Sequence, residues 1–487
     1  MMKLSTDIAV IAAGPSGLTA AISAAENGAE VMVFEKMSVA GGTANMGMGP
    51  FGVESRIQKE LMESLTKEEA FRIMMDYTHW TVDARLVRDY FWKSGSTIDW
   101  LEDMGVPFDR PTKYYPGGFA TWHVVKPEDG SRPGPRAASA MIKVLFRRAT
   151  ELGVKFFFST PVREILTEGT CVKGLRAESD SGEQYEVEAK AVILATGGFG
   201  ANSEMIREYT GYTFGKDLFS FQIPGVTGDG LRMAWAAGAG KGRMTMERIT
   251  NFALSTSEKY KSYKTFDQPR ALMVNRLGER VMNEEEVRNG AVLANVIDRQ
   301  PGRYCYFLMD DKIIRHYIRH GLDYISMVNR FNLAEQFYDE LDGMLEDFPE
   351  DIFVADSIEE LEEKLGMKAG VLTDTVDEYN DACEDGYDDI LLKDRKYLQP
   401  LVGKRFYACR VFCGAYGSLG GVMINHRLEV LTENWEKIDG FYAVGSDVCD
   451  LYNGTYQYLL AGNTMGFAVN SGRMAGEYAA EYASSLE

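Results

Sequence analysis

A chain of 487 residues with 45% hydrophobic and 25% charged side chains has ordinary globular composition and exceeds one compact core, so two domains are expected. Its formal net charge of −20 works against nucleic acid or an anionic membrane as partner, because both require clustered Lys and Arg. What remains is small-molecule chemistry.

The chain enters a strand-like run within seven residues, without a basic leader or a long apolar segment; the expectation is no signal peptide, no membrane span and a cytoplasmic address. Residues 7 to 35 read as one βαβ unit: a β-branched run, a glycine turn, an Ala-rich helix ending near Gly28, and a second strand, "EVMVFEK". The turn of such a unit has three glycine slots, for the tight turn, for approach to a pyrophosphate and for helix–strand packing. Here they hold Ala12, Gly14 and Gly17, with Pro15 and Ser16 between the last two. Ala12 adds one methyl, which is tolerated if its φ is negative. Glu35, followed by Lys36, ends the second strand, where a carboxylate accepts from a ribose 2′-OH and repels a 2′-phosphate.

Further along, "AKAVILATGGFG" is a strand ending at Gly197 and Gly198, and "GFYAVGSD" is another ending at Gly445. Glycine-tipped strands this far apart imply one nucleotide domain assembled from distant segments. Residues about 330 to 395 are acidic and helix-like, and read as a solvated face of inserted helices. Cys171, Cys305, Cys383, Cys409, Cys413 and Cys449 form no C-x-x-C pair, so neither an iron–sulfur cluster nor a disulfide framework is expected, and no metal site.

The segments "EKMSVAGGTANMGMG", "AVILATGGFGANSEMI", "TGDGLRMAWAAGA", "ALMVNRLGERVMNEE", "TDTVDEYNDACEDGYDD", "GSLGGVMINHRLEVL", "GFYAVGSD" and "AGNTMGFAVNSGRMAG" occur in order over nearly the whole chain. Together they resemble the fumarate reductase and 3-ketosteroid dehydrogenase superfamily of FAD enzymes. The resemblance implies an α/β fold: a Rossmann-like FAD-binding domain of glutathione-reductase type, residues 1–244 and 416–487, with an α+β capping domain inserted at 245–415. Pyrophosphate and flavin contacts are expected from Gly41, Gly42, Thr43 and Ala44 with Gly47, Met48 and Gly49. Val162 and Ala195, Thr196 and Gly197 are expected on the adenine side, and Asp229 on the polar chain of the cofactor. At Gly445, Ser446 and Asp447 the choice between Ser446 and Asp447 as the contact stays open. The helix beginning near Gly462, with Asn463, Thr464 and Met465, should aim its N-terminal amides at the flavin N1/C2 carbonyl edge. Family members with covalent FAD carry a His in the segment matching "GGTANMGMGPFG"; none stands there, so FAD should be non-covalent.

The family's proton-transfer position, counted from Asn283 and Glu284, falls on Arg288, as in the reductases. The carboxylate-gripping positions of a C4 dicarboxylate site are not kept: they read Gly417-Ser418-Leu419 after Tyr416, then Leu459, and Asn251-Phe252-Ala253. Losing such charge-assisted bonds costs about 1.5 to 3 kcal/mol each, which disfavours fumarate. "TYQYLLAGNTMG" instead matches the ketosteroid dehydrogenases, whose Tyr and Gly N–H hold a substrate ketone; here these are Tyr458 and Gly462. Tyr114, Tyr115, Phe119, Trp122 and His123 add an aromatic lining suited to a larger, less charged substrate. Substrate contacts are thus expected from Tyr115, Trp122, His123, Tyr416, Gly417 and Leu459, with Arg270 the nearest candidate for a proton relay.

The expected activity is FAD-dependent reduction of the C=C bond of an α,β-unsaturated carbonyl compound, a steroid-like enone or an aryl or acyl enoate. Arg288 would donate the proton, and Tyr458 with Gly462 would polarise the carbonyl. The alternatives are a ketosteroid-type dehydrogenase running the reverse chemistry, and a flavin-binding electron carrier without a substrate. Electrons would come from NADH or from a separate protein.

Overall fold

The computed structural model describes residues 1–326, 333–448 and 451–486, so Cys449 and positions 330–332 of the acidic stretch lie outside the described residues. The chain forms two compact units: Met1–Gly211, Gln222–Glu247 and Gly417–Glu487 make the first, Tyr212–Phe221 and Arg248–Tyr416 the second. The short segment Tyr212–Phe221 thus groups with the second unit, which its sequence did not suggest. Among the described residues no helix is long and apolar enough to cross a membrane.

The first unit is built on an eight-stranded sheet whose centre is parallel, in the order Lys155–Phe157, Val31–Phe34, Met2–Ile11, Gln184–Leu194, Lys437–Ala443. Ile8–Ile11, Val31–Phe34 and Ala191–Leu194 are apolar throughout and buried, as strands covered on both faces must be. Val162–Glu168 and Cys171–Glu178 extend the sheet antiparallel, and Glu429–Leu431 pairs with Lys437–Ala443. The registers Ile11 with Phe34, Ile11 with Leu194 and Leu194 with Ala443 bring the carboxyl ends of four strands to one edge. The loops that follow them therefore emerge side by side, where open α/β sheets bind ligands. This is the expected Rossmann-like FAD-binding architecture.

Two helices pack tightly behind that edge: Pro15–Glu26 and the C-terminal helix Asn463–Ser485. Gly472 and Gly476 make the approach possible, since a Cβ on either would collide with the Ser16 or Ala20 carbonyl. The Ser23 hydroxyl donates to the Arg473 carbonyl at 2.9 Å across the same contact.

The second unit carries the antiparallel strands Leu272–Asn275, Tyr304–Asp310, Phe406–Val422 (up to its unit boundary at Tyr416) and Ile352–Ala355. Helices Phe337–Asp347, Ile358–Lys364 and Val371–Asp385 account for most of the acidic stretch and bury Leu341, Leu361, Leu372, Val376 and Tyr379. Three acids, Asp351, Glu362 and Asp388, depart from the expected solvated face; Asp351 is buried against Arg410 at 2.8 Å. Glu362 is buried and accepts the N–H groups of Gly370 and Leu372, both at 2.7 Å, and Asp388 is buried against Arg280 at 2.8 Å. Arg280 also holds Glu284, which Lys393 reaches at 3.3 Å, so two cations and two anions neutralise one another in the core.

One local expectation is corrected. Ala12 has a φ of 82°, in the left-handed region, and not the negative φ that would make its methyl innocuous. The glycine-type turn is kept in spite of the substitution, at a cost of about 1 kcal/mol. Ala12→Gly should therefore raise the urea midpoint, stabilising the protein by about 1 kcal/mol; an unchanged or lower midpoint would show the turn to be unstrained.

Candidate active site

The loops at the carboxyl edge of the sheet present backbone donors. Gly14 caps the helix Pro15–Glu26, and the N–H groups of Gly14, Ser16 and Gly17 reach no protein acceptor among the described residues although all three residues are buried. A Cβ on Gly17 would collide with the Ala12 carbonyl, so the helix can come this close to the strand only with glycine there. Gly41 and Gly42 take φ values of 116° and 47°, and the Gly41 N–H donates to the Ala13 carbonyl at 2.9 Å, tying the second loop to the first. Buried N–H groups left without acceptors cost about 1 to 3 kcal/mol each, so this cradle fits a pyrophosphate, whose oxygens are acceptors only.

Glu35 is already engaged from two sides. Its carboxylate accepts Ala13 N–H at 2.7 Å and Met37 N–H at 2.8 Å, while burial raises its pKa. It therefore shapes the loop from within. Lys36 and Asp229 bond each other at 2.9 Å, with Thr227 on the same ammonium, so the two form a clasp across the loops. Val162 opens its strand and is buried opposite Ala177.

Asp447 bears on the choice left open at "GSD". It is fully buried, accepts from Thr196 N–H at 2.5 Å, Thr196 Oγ1 at 2.9 Å and Gly198 N–H at 2.7 Å, and is pushed up to about 6 by burial. Its oxygens brace the Ala195–Gly198 turn, which weighs the open choice toward Ser446. Ser446 is the partly exposed neighbour. Gly445 keeps a φ of 64° beside Ser16.

The first turn of the C-terminal helix is the other concentration of donors. Thr43, Ala44, Gly47, Met48 and Gly49 lie on the loop that meets it: a Cβ on Gly47 would collide with the Met465 side chain. Thr464 and Met465, only partly buried, have N–H groups without a protein acceptor among the described residues, as a carbonyl or anion docked there requires. The expected Tyr458–Gly462 clamp is corrected. Gly462 N–H donates to the Tyr456 hydroxyl at 3.1 Å, with Asn463 N–H also facing that oxygen, so the backbone half of the clamp is occupied. Gly462 itself is wedged against Pro50, Phe51 and Trp122 at a φ of 87°.

Aromatic rings gather around this turn. Tyr458 lies 4.2 Å from Tyr114 and 4.7 Å from Tyr456, Tyr114 lies 6.1 Å from Trp122, and Tyr456 lies 5.6 Å from Tyr452, centroid to centroid. Trp122 donates its indole N–H to the Gly49 carbonyl at 2.8 Å and acts as packing. Half-buried Tyr115 covers Gly117, and the carbonyl of partly exposed Leu459 accepts from Phe119 N–H at 2.8 Å. Gly417 opens onto space, whereas Tyr416, in the second unit, stacks on Phe221 at 6.1 Å.

His123, expected among the substrate contacts, is turned into the fold. It is 0% exposed, with Nε2 bound to Ser55 Oγ at 2.8 Å and Nδ1 to the Thr121 carbonyl at 3.2 Å, and burial lowers it to about 4. Both nitrogens are used inside the fold.

Arg288, in the second unit, ends a short turn Glu284–Arg288 whose first residue belongs to the buried ion network. Its Nε donates to the Glu285 carbonyl at 2.8 Å, and the side chain is 30% exposed. Arg270 is paired with Asp323 at 3.0 Å and is no open relay.

Two residues went unread in the sequence. Glu247 is 2% exposed and is pushed up to about 8 by burial, and Tyr456 is the acceptor for Gly462. Strand alternation hides Glu247, because Met246 and Glu247 are adjacent and both buried. For His123 the pH dependence follows from its lowered pKa. The folded state binds fewer protons than the unfolded one between about pH 6.5 and 4, so stability is present above that window and lost as pH falls through it. His123→Gln should remove about 3 kcal/mol of acid destabilisation across this window in urea unfolding; an unchanged acid limb would place the ring in solvent.

The family model for "FAD binding domain" matches residues 7–465. The vinyl phenol reductase of Lactiplantibacillus plantarum is 29% identical over 98% of this chain and 97% of its own. The NADH:fumarate oxidoreductase of Klebsiella pneumoniae is 30% identical over 98% of this chain, which spans 48% of that longer protein. Among solved structures, 3-ketosteroid-Δ4-(5α)-dehydrogenase from Rhodococcus jostii RHA1 superposes with a TM-score of 0.76 at 24% identity, covering 98% of this chain and 97% of that one. With its unfilled backbone donors at the carboxyl edge of a parallel sheet, the chain belongs to the FAD binding domain family and is an FAD-dependent oxidoreductase.

Proposed function

We propose that this enzyme reduces a C=C bond conjugated to a carbonyl or directly to an aromatic ring, with an aryl enoate or aryl alkene as the substrate class. The observation that carries this reading is the ring cluster of Tyr114, Tyr456, Tyr458 and Trp122 beside the open N–H groups of Thr464 and Met465. Aromatic faces favour a flat, weakly charged substrate through offset and edge-on contacts. The near full-length similarity to a vinyl phenol reductase supports the same class.

FAD, held non-covalently, supplies the hydride when bound. The residues that would hold it are Gly14, Ser16 and Gly17 at the pyrophosphate, Glu35 at the ribose, the loop Gly41–Gly49, and Thr464 with Met465 at the flavin edge. Arg288 donates the proton to the carbon next to the one that receives hydride, a transfer that a guanidinium makes only to a strongly basic carbanion in a dry site. Tyr458, without the Gly462 N–H, polarises the substrate. The electron donor is NADH or a separate protein.

An anaerobic test decides the substrate class. Enzyme reduced with dithionite is mixed with fumarate, aryl enoates, hydroxystyrenes and steroid enones, and flavin reoxidation is followed near 450 nm. Fast reoxidation by aryl-conjugated alkenes and not by fumarate is expected; reoxidation by fumarate alone would refute the reading. Arg288→Ala should lower turnover by about 10² or more while FAD content is retained, and a near-normal rate would remove Arg288 from the chemistry.

A further inference from the structure

Glu247 ends the first unit's part of the strand Lys241–Asn251 and has no function in the reaction described above. Its carboxyl receives the hydroxyl of Thr464, the second residue of the C-terminal helix. Tyr456 faces it from the preceding loop, and the Tyr452 hydroxyl lies 3.5 Å from Thr464 Oγ1. Among the described residues no Lys, Arg or His pairs with Glu247; Arg248, next along the strand, is engaged by Asp298 at 2.5 Å. Among the described residues the titratable group facing the carboxyl is Tyr456, which burial holds in its phenol form. A carboxyl buried without a cation stays neutral, and burial pushes this one up to about 8.

The geometry points to Glu247 as a positioning residue for the cofactor edge. As a neutral carboxyl it holds Thr464 and stands beside Tyr456, so that the N–H groups of Thr464 and Met465 face the flavin N1/C2 carbonyl. This rests on placing the flavin edge at the C-terminal helix. Two electrons and one proton delivered to the flavin leave one negative charge at that edge. An ionised Glu247 nearby opposes that charge and takes up one further proton from solvent as reduction proceeds. Glu247 thereby couples protonation of the protein to reduction of the cofactor.

The test is a redox titration of the holoenzyme with dithionite and mediator dyes between pH 6 and 9.5, for the parent and for Glu247→Gln, together with urea unfolding of both in excess FAD. The parent's midpoint potential should fall more steeply above about pH 8 than that of Glu247→Gln, in line with the value of about 8 for the carboxyl. In unfolding, the parent should lose stability relative to the variant as pH rises from about 4.5 to 8. The sign follows because the folded state keeps a proton that the unfolded state has released. Thr464→Val, which removes the hydroxyl that favours the ionised form, should move the steepening to higher pH. Parallel potentials in parent and Glu247→Gln at every pH overturn the inference, as does a stability difference without one in potential, since the carboxyl then titrates without addressing the cofactor. A steepening unmoved in Thr464→Val overturns it too. No substrate is present, so failure here is distinct from failure of the substrate reading.

Discussion

The first unit depends on Asp447. Its buried carboxylate accepts the N–H groups of Thr196 and Gly198, the latter 249 positions away in sequence, and so pins the turn after one central strand to the turn after its neighbour. Both turns run through glycines at positive φ, Gly197, Gly198 and Gly445, conformations that need an external tether to hold their donors in one direction. With the turns fixed, the register Ile11–Leu194–Ala443 lines up the strand ends, and the cradle for the cofactor follows from that alignment.

Three buried carboxyls of this unit show how partners decide what burial does. Asp447 and Glu35 each collect donors from the backbone and so act as braces. Among the described residues Glu247 has only a threonine hydroxyl and a facing phenol, and it is pushed further above the ordinary carboxylate range than Asp447. The same accounting explains His123, whose two nitrogens are satisfied by Ser55 and Thr121 and whose burial favours the neutral ring. In each case the number and charge of the neighbours matter more than the residue type.

Much of the architecture could be read from the chain itself. The run of residues 7–35, the strands ending at Gly197 and Gly445, and the helix after Gly462 are local patterns, set by hydrophobic periodicity and by positions where only glycine permits the turn or the approach. Their assembly into one parallel sheet is as the motifs implied. The site was less legible. His123 lies in an aromatic-rich segment that reads as substrate lining, yet its ring points into the fold; the oxygen that Gly462 N–H meets belongs to Tyr456, two positions from the tyrosine the motif suggests. Ala12 kept the conformation of the glycine it replaces, because the turn between strand and helix is imposed by their packing.

What the sequence by itself determined is therefore the family, the nucleotide-binding edge and the glycines that make it possible, because these depend on backbone conformation and on spacing within one element. Which side chains are free to act was decided only by the tertiary structure. Glu247 and Thr464 are 217 positions apart, and Asp447 and Thr196 are 251 apart, so no local pattern records that one carboxyl is braced by backbone donors while the other is left neutral beside a phenol. Hydrogen-bond occupancy and desolvation are properties of neighbours in space, and the chain order does not contain them.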